Sequence, residues 1–278
     1  MIKIENVVVS GWEAAIRGMR NPMNSWSQSD SHVCNEYTIR EEMPCQMVEN
    51  DNEPCKDCND GKYGYCVGKN DWVLMRKLSA AGSVHGKYLR FITVTMDVTA
   101  PMYWWSEYDT YKVGTVANSC SKMHKLLHKP FEMSDFSFDK LPGFQNEIKQ
   151  FRPVVDEETE LWRRIDADYA ESVNVFKEVA RPIVDTLNEL RDSYFACENE
   201  VSKKQIWHSI LQLLPESYNQ RRTVLLNYAV LANIYQYRKE HKLDEWRNFC
   251  KWIETLPYSE VITGERDAQA PEADGAST

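Results

Sequence analysis

The sequence predicts an α+β fold, a small sheet followed by a largely helical C-terminal half. Three observations predict it. Short runs rich in β-branched and aromatic residues lie near the N-terminus and around residues 88–99. From Asp156 onward the apolar residues recur at helical spacing. No internal repeat divides the 278 residues, so strands and helices read most economically as one domain, 1–263, with a tail at 264–278.

Residues 2–9 read as a strand, with Ile2, Ile4 and Val7 to Val9 supplying its apolar character, and residues 12–19 as a short helix. The stretch from Asn21 to Asn70 is rich in Asn, Asp, Gly, Pro, Ser and Cys and reads as loop, with a Cys-rich insertion at about 31–70. Asp71 is the expected N-cap of a helix running to about Ala81 and ended by Gly82. YLRFITVTMDVT at 88–99 alternates as a strand does, and Pro101 ends it before a helix and loop. Four helices follow: 157–197 with a break expected at Pro182, 202–214, 220–239 and 243–255. The tail lacks large apolar residues, carries four acids against one Arg, and is expected to be disordered.

A formal net charge of −9 argues against broad binding to polymeric nucleic acid, which needs an excess of Lys and Arg along the phosphates. It leaves room for a small basic pocket holding one nucleotide. The start of the chain has no unbroken apolar segment, and the longest uncharged apolar-rich run, Thr223 to Tyr237, is too short and polar to span a bilayer. The expectation is a cytoplasmic protein without a membrane partner. In that compartment eight Cys are not a disulfide framework.

Five of those Cys cluster. Cys55 and Cys58 form a C-x2-C pair, with Cys45 before and Cys66 after, a set suited to tetrahedral zinc. The pattern reads as a closed, structural zinc site, as unliganded thiols in a loop, or as a redox-active pair.

Two further segments carry candidate chemistry. In NYAVLANIYQYR, the residues Asn227, Leu231, Ile234 and Arg238 share a helical face, with Asn233 on its flank. Polar groups on so apolar a helix need partners, either in an oligomer core or in a ligand that Arg238 and the amides meet. In YWWSEYDTYKVGTVANSCSKMH, the residues Lys112, Ser119, Ser121 and His124 can form a phosphate site. Trp104 and Trp105 read as core, and His85, His128, His208 and His241 as surface residues.

Together these segments resemble the flavin-dependent thymidylate synthases. That family has a strand ending in Pro, a helix, Arg-His-Arg and a loop of the form S-x-N-x-x-S-x-R-Y; here stand Ala100-Pro101, Thr110-Tyr111-Lys112 and then, with one inserted residue, Thr115, Asn118, Ser121 and Met123-His124. The family's Leu-Pro and N-x-R-x-L-x-N-F-x-x-L-R align without a gap on Leu214-Pro215 and on Asn227, Ala229, Leu231, Asn233, Ile234, Tyr237 and Arg238.

The resemblance implies a homotetramer of flavin-dependent thymidylate synthase-like subunits that binds FAD and dUMP or a related pyrimidine nucleotide. It implies reductive methylation of uracil at C5, with methylenetetrahydrofolate as carbon donor and NADPH as reductant. By position, Asn227 and Asn233 would contact the flavin, and Arg238 would hold the pyrimidine and stabilise its developing charge. Glu107 takes a substrate-contacting position, and Lys112, Ser121, Lys122 and His124 lie at the nucleotide phosphate. Lys112 keeps the charge of its family counterpart but not the bidentate fork, while Thr110, Tyr111, Met123 and Ala229 stand where the family carries Arg or His. Those departures also fit a non-catalytic nucleotide- or flavin-binding protein on the same scaffold.

Overall fold

The computed structural model describes residues 2–33, 65–121, 125–141 and 176–264. Strand β1 (Lys3–Ser10) leads into helix α1 (Trp12–Arg20), and a two-stranded antiparallel pair joins β2 (His32–Val33) to β3 (Tyr65–Cys66), with His32 opposite Cys66 and Val33 opposite Tyr65. Helix α2 (Lys69–Ala80) follows, then a 3-10 turn at Gly86–Arg90, β4 (Thr93–Pro101), α3 (Met102–Tyr108) and β5 (Val116–Ser119). The C-terminal half adds α4 (Arg181–Ala196), α5 (Glu200–Leu213), β6 (Asn219–Asn227), α6 (Tyr228–Arg238), α7 (Asp244–Ile253) and α8 (Glu260–Thr263). The main sheet has the strand order β1-β4-β6-β5. This is the expected α+β fold, a small sheet with a largely helical C-terminal half. None of the described helices is long and apolar enough to cross a membrane.

The chain forms two compact units. The first comprises Met1–Lys3, Thr99–Asp109 and Ser119–Arg222. In it α4 and α5 pack together over a core that includes Leu127, Phe131, Phe136, Val184, Leu187 and Ile210. Asn188 ties this core to the preceding loop by donating to the Phe131 carbonyl at 2.9 Å and accepting the Phe131 N–H at 2.7 Å. Trp104 and Trp105 on α3 are fully buried, as their sequence context indicates, and Trp105 Nε1 donates to the Gln220 carbonyl at 2.9 Å. At Pro182 the helix changes type rather than stopping: a π-helical turn at Phe176–Ala180 runs into α4, and Pro182 is the second residue of the α-helical part. Asn199 caps α5 by accepting the N–H groups of Val201 and Ser202, both at 3.0 Å. Asn199→Ala is therefore expected to cost about 1 kcal/mol, read as a lower midpoint of urea unfolding at unchanged slope.

The second unit comprises Ile4–Val98, Thr110–Asn118 and Thr223–Thr278. Its α6 packs against α7, α8 and the Gly86–Arg90 turn, and α8 in turn against α2. Trp12, Ile92, Tyr228, Leu231, Trp246 and Phe249 are buried in it.

Three elements differ from the sequence reading. The strand expected at 88–99 begins only at Thr93, because residues 86–90 form the 3-10 turn. Residues 220–239 are not one helix: the strand β6 occupies Asn219–Asn227 before α6 begins. Gln220, Val224 and Leu226 are buried at even spacing, a strand period that the apolar run after Thr223 obscures. Asp71 is not an N-cap either. Gly68 holds that position, and the Asp30 carboxylate accepts the N–H groups of Asn70 at 2.8 Å and Asp71 at 3.1 Å.

Asp71 instead turns inward, where it is fully buried. Arg20 Nε donates to its Oδ1 at 2.5 Å. Its Oδ2 accepts from the Ser29 hydroxyl at 2.7 Å, the Ser31 hydroxyl at 2.6 Å and the N–H groups of Ser31 and Asp30 at 3.1 and 3.2 Å. Burial alone would raise the Asp71 carboxyl, but the hydrogen bonds from Ser31, Ser29 and Arg20, with the Arg20 charge, hold it below its ordinary value.

Candidate functional site

The site grows from the junction of β6 and α6. Asn227 ends the strand in extended conformation and caps the helix, its Oδ1 accepting the Val230 N–H at 3.0 Å. Its Nδ2 donates to the Val113 carbonyl at 3.4 Å, binding the 110–114 segment to the helix start. Gly114 follows at φ 70°, and a Cβ there would stand 2.9 Å from Asn227 Nδ2. Left-handed backbone and close approach together require glycine at this position. Asn227 is thus a buried structural joint as well as a lining residue, and it lies ahead of the helix rather than on the face shared by Leu231, Ile234 and Arg238.

Arg238 ends the same helix, about 16 Å from Asn227 along the axis at 1.5 Å per residue. It reaches the same segment, since its Nε donates to the Tyr111 hydroxyl at 2.9 Å. The guanidinium carbon lies 4.9 Å from the centre of the buried Trp246 ring and 5.8 Å from that of Tyr111. A cation over an indole in a desolvated setting is held in place by the ring quadrupole. Thr115 Oγ1 donates to the Tyr111 carbonyl at 2.8 Å and braces the segment from its other side. The two sequence motifs therefore meet: the segment at Thr110-Tyr111-Lys112 is fastened to both ends of α6. Tyr111 acts there as a clamp on Arg238.

Alongside lies a cavity of about 1340 Å³ within the second unit. Lys112, Asn227 and Asn233 line it, so three predicted residues converge. Arg76, Lys77, Arg90 and Lys239 also line it, with Glu260 as the single acid among the described lining residues. In a chain of net charge −9 this is a concentration of positive charge, and a cleft lined by one sign focuses the field on an anionic ligand. Arg76 and Lys77 come from α2, four residues beyond Trp72 and Val73, which share the wall. That i, i+4 stripe is visible in the sequence but lies far from either motif.

Arg238 does not line this cavity but meets it through Tyr111, which does. Glu107 and Ser121 belong to the first unit and do not line it either. Glu107 is half-buried on α3, and the Ser121 carbonyl accepts the Lys125 N–H at 3.0 Å. Lys122 and His124 lie outside the described residues, as do Cys45, Cys55 and Cys58. Cys66 is buried in β3. Among the described residues no group of three or more His, Cys, Asp or Glu is placed to hold a metal ion.

Other side chains near the motifs are committed elsewhere. Arg222 donates to Gln220 Oε1 at 3.0 Å and to Asp109 at 2.8 Å, with its guanidinium 4.2 Å from the centre of the Trp105 ring. Cys250 is buried, and desolvation, with Glu254 adding and Arg238 opposing, pushes its thiol up to about 11. It is therefore a protonated, unreactive packing group at neutral pH. His85, His128 and His208 are exposed as expected, but His241 is half-buried and bonded to Arg238.

No protein-family model matches the chain, and no curated protein matches it in sequence. Solved structures match its fold. The flavin-dependent thymidylate synthase ThyX from Helicobacter pylori, complexed with FAD and dUMP, aligns at a TM-score of 0.51 with 18% identity, covering 93% of this chain and 97% of that one. A second structure of that enzyme with FAD and dUMP gives 0.51 at 16% identity, covering 94% and 97%. The UMP/dUMP methylase PolB from Streptomyces cacaoi, bound with 5-Br dUMP, gives 0.50 at 13% identity, covering 95% of each chain. At these identities the likeness shows the fold.

Proposed function

We propose that the chain binds FAD and a pyrimidine nucleotide and methylates uracil reductively at C5. The observation that carries this reading is the cavity whose wall combines Arg76, Lys77, Arg90, Lys112 and Lys239 with the amides of Asn227 and Asn233, and which shares Tyr111 with the clamped Arg238. FAD presents two negatively charged phosphates and a ring edged with hydrogen-bonding groups, and this wall offers both kinds of partner.

In this reading Arg76, Lys77 and Arg90 meet the diphosphate. Asn233, with the second Nδ2 proton of Asn227, meets the polar edge of the ring. When bound, the flavin supplies hydride chemistry. The carbon comes from methylenetetrahydrofolate and the reducing equivalents from NADPH. Arg238 lies against the pyrimidine and stabilises negative charge developing there, an effect strengthened because Tyr111 and Trp246 fix the guanidinium beforehand. The roles of Glu107, Ser121, Lys122 and His124 at the nucleotide, and assembly as a tetramer, rest on the sequence resemblance.

The test is the visible spectrum of the purified protein after incubation with FAD, followed by tritium release from C5-labelled dUMP with NADPH and methylenetetrahydrofolate. Flavin uptake with tritium release is the expected result. Flavin uptake without release would make the chain a binding protein on this scaffold. No flavin uptake and no rise in melting temperature with dUMP would sink the reading altogether.

A further inference from the structure

Beyond Arg238 the chain turns back through residues 239–243 into α7, and His241 sits in that turn. Its N–H donates to the Arg238 carbonyl at 3.0 Å, and its own carbonyl accepts from Arg247. The ring lies between two donors. An Arg238 guanidinium nitrogen stands 2.8 Å from Nε2, and the Leu243 N–H points at Nδ1 from 3.2 Å. A guanidinium only donates, and a neutral imidazole carries one in-plane lone pair and one N–H. A neutral ring can therefore accept from only one of the two, and the shorter contact to the charged donor assigns the lone pair to Nε2, leaving Nδ1–H opposite the Leu243 N–H. An imidazolium has no lone pair, so protonation would remove the acceptor at Nε2 and place a second positive charge beside Arg238.

The other charged and titratable groups around this ring come from three elements. Tyr111 lies across the guanidinium, Lys239, Glu240 and Lys242 share the turn, and α7 brings Asp244, Glu245, Arg247 and Cys250. Asp244 is paired with Arg247. Trp246 presents its ring edge-on at 6.5 Å.

We propose that His241 is a positioning residue for Arg238: its neutral ring holds the guanidinium against Tyr111 and Trp246 in the orientation that meets the nucleotide, and its protonation releases that hold, so acid weakens nucleotide binding. This rests on the reading that Arg238 contacts the nucleotide. His241→Gln keeps an acceptor and cannot titrate. Binding of dUMP to wild type and variant is measured at about pH 8 and about pH 5, the ends of the range in which histidine changes charge. Titration of the dUMP phosphate is common to both proteins and cancels in the comparison. Wild type is expected to lose about tenfold more affinity than His241→Gln on acidification, the scale of one charge-assisted hydrogen bond.

A second measurement needs no variant to fold and no nucleotide to bind. The Arg238 Nε resonance in the NMR spectrum of wild type moves, on acidification, to that of a solvent-exposed arginine. Parallel affinity losses in the two proteins, or an Arg238 resonance that stays in place, overturns the proposal. If wild type binds no dUMP at either pH, the nucleotide reading falls and the resonance alone decides the role of His241.

Discussion

Under the proposed function, Arg238→Ala is expected to lower kcat/KM for dUMP methylation about 10²- to 10³-fold, the usual loss when one preorganised donor to developing charge is removed. The guanidinium is well placed for a large effect, because Tyr111, His241 and the Trp246 face constrain it before any ligand arrives. Preorganisation of this kind costs no reorganisation when the charge develops. The truncation also strips partners from Tyr111 and His241, so melting temperature is measured alongside turnover. Arg238→Lys separates the two effects. It restores a positive charge but neither the planar fork nor the stacking, so turnover should stay well below wild type while stability recovers. An Arg238→Ala protein that melts early yet turns over normally would reduce Arg238 to a structural brace.

Asp71→Asn is expected to destabilise the folded chain by about 3–5 kcal/mol, because it leaves the Arg20 charge buried without a counter-charge. The Arg20 and Asp71 side chains are 4% and 0% exposed, so solvent does little to screen what is lost. The amide would also turn a donor group toward a cluster of Ser and backbone donors that now converge on one carboxylate. The pH dependence has a definite sign. The folded-state carboxyl is lowered, so its contribution is fully present above the unfolded value of about 3.9 and is lost as pH falls through the lower folded value. Wild type and Asp71→Asn should differ most near neutrality and converge in acid, as urea unfolding from about pH 7 down to about pH 2 would show. A constant difference across that range would mean that packing, rather than charge, makes the site.

Where one periodicity dominates, these elements are readable from the residues alone. The helix after Pro101 and the amphipathic Asp244–Ile253 helix stand within a few residues of their expected bounds, and the alternating strand is present, though it starts at Thr93 because the 3-10 turn takes its expected first residues. At 219–238 two periods abut without a glycine or proline between them. The change from strand to helix is made by one asparagine whose side chain supplies the first cap. The candidate site divides in the same way. Asn227, Asn233 and Lys112 are visible because they lie in motifs, and they do share a cavity. Arg76, Lys77 and Arg90 join it only through the packing of α2 and the Gly86–Arg90 turn, a long-range event that local spacing does not encode. His241 lacks any paired spacing, and only the reversal of the chain after Arg238 brings its ring to the guanidinium.

The Asp71 network also has a consequence for the cavity wall. Ser29, Asp30 and Ser31 are fastened to the start of α2, and His32–Val33 pairs with Tyr65–Cys66, so positions 33 and 65 are held side by side. The same helix carries Trp72, Val73, Arg76 and Lys77 onto the cavity. A substitution that loosens this neck therefore acts at a distance on the basic wall, because the helix presenting Arg76 and Lys77 loses its anchorage although neither side chain is touched.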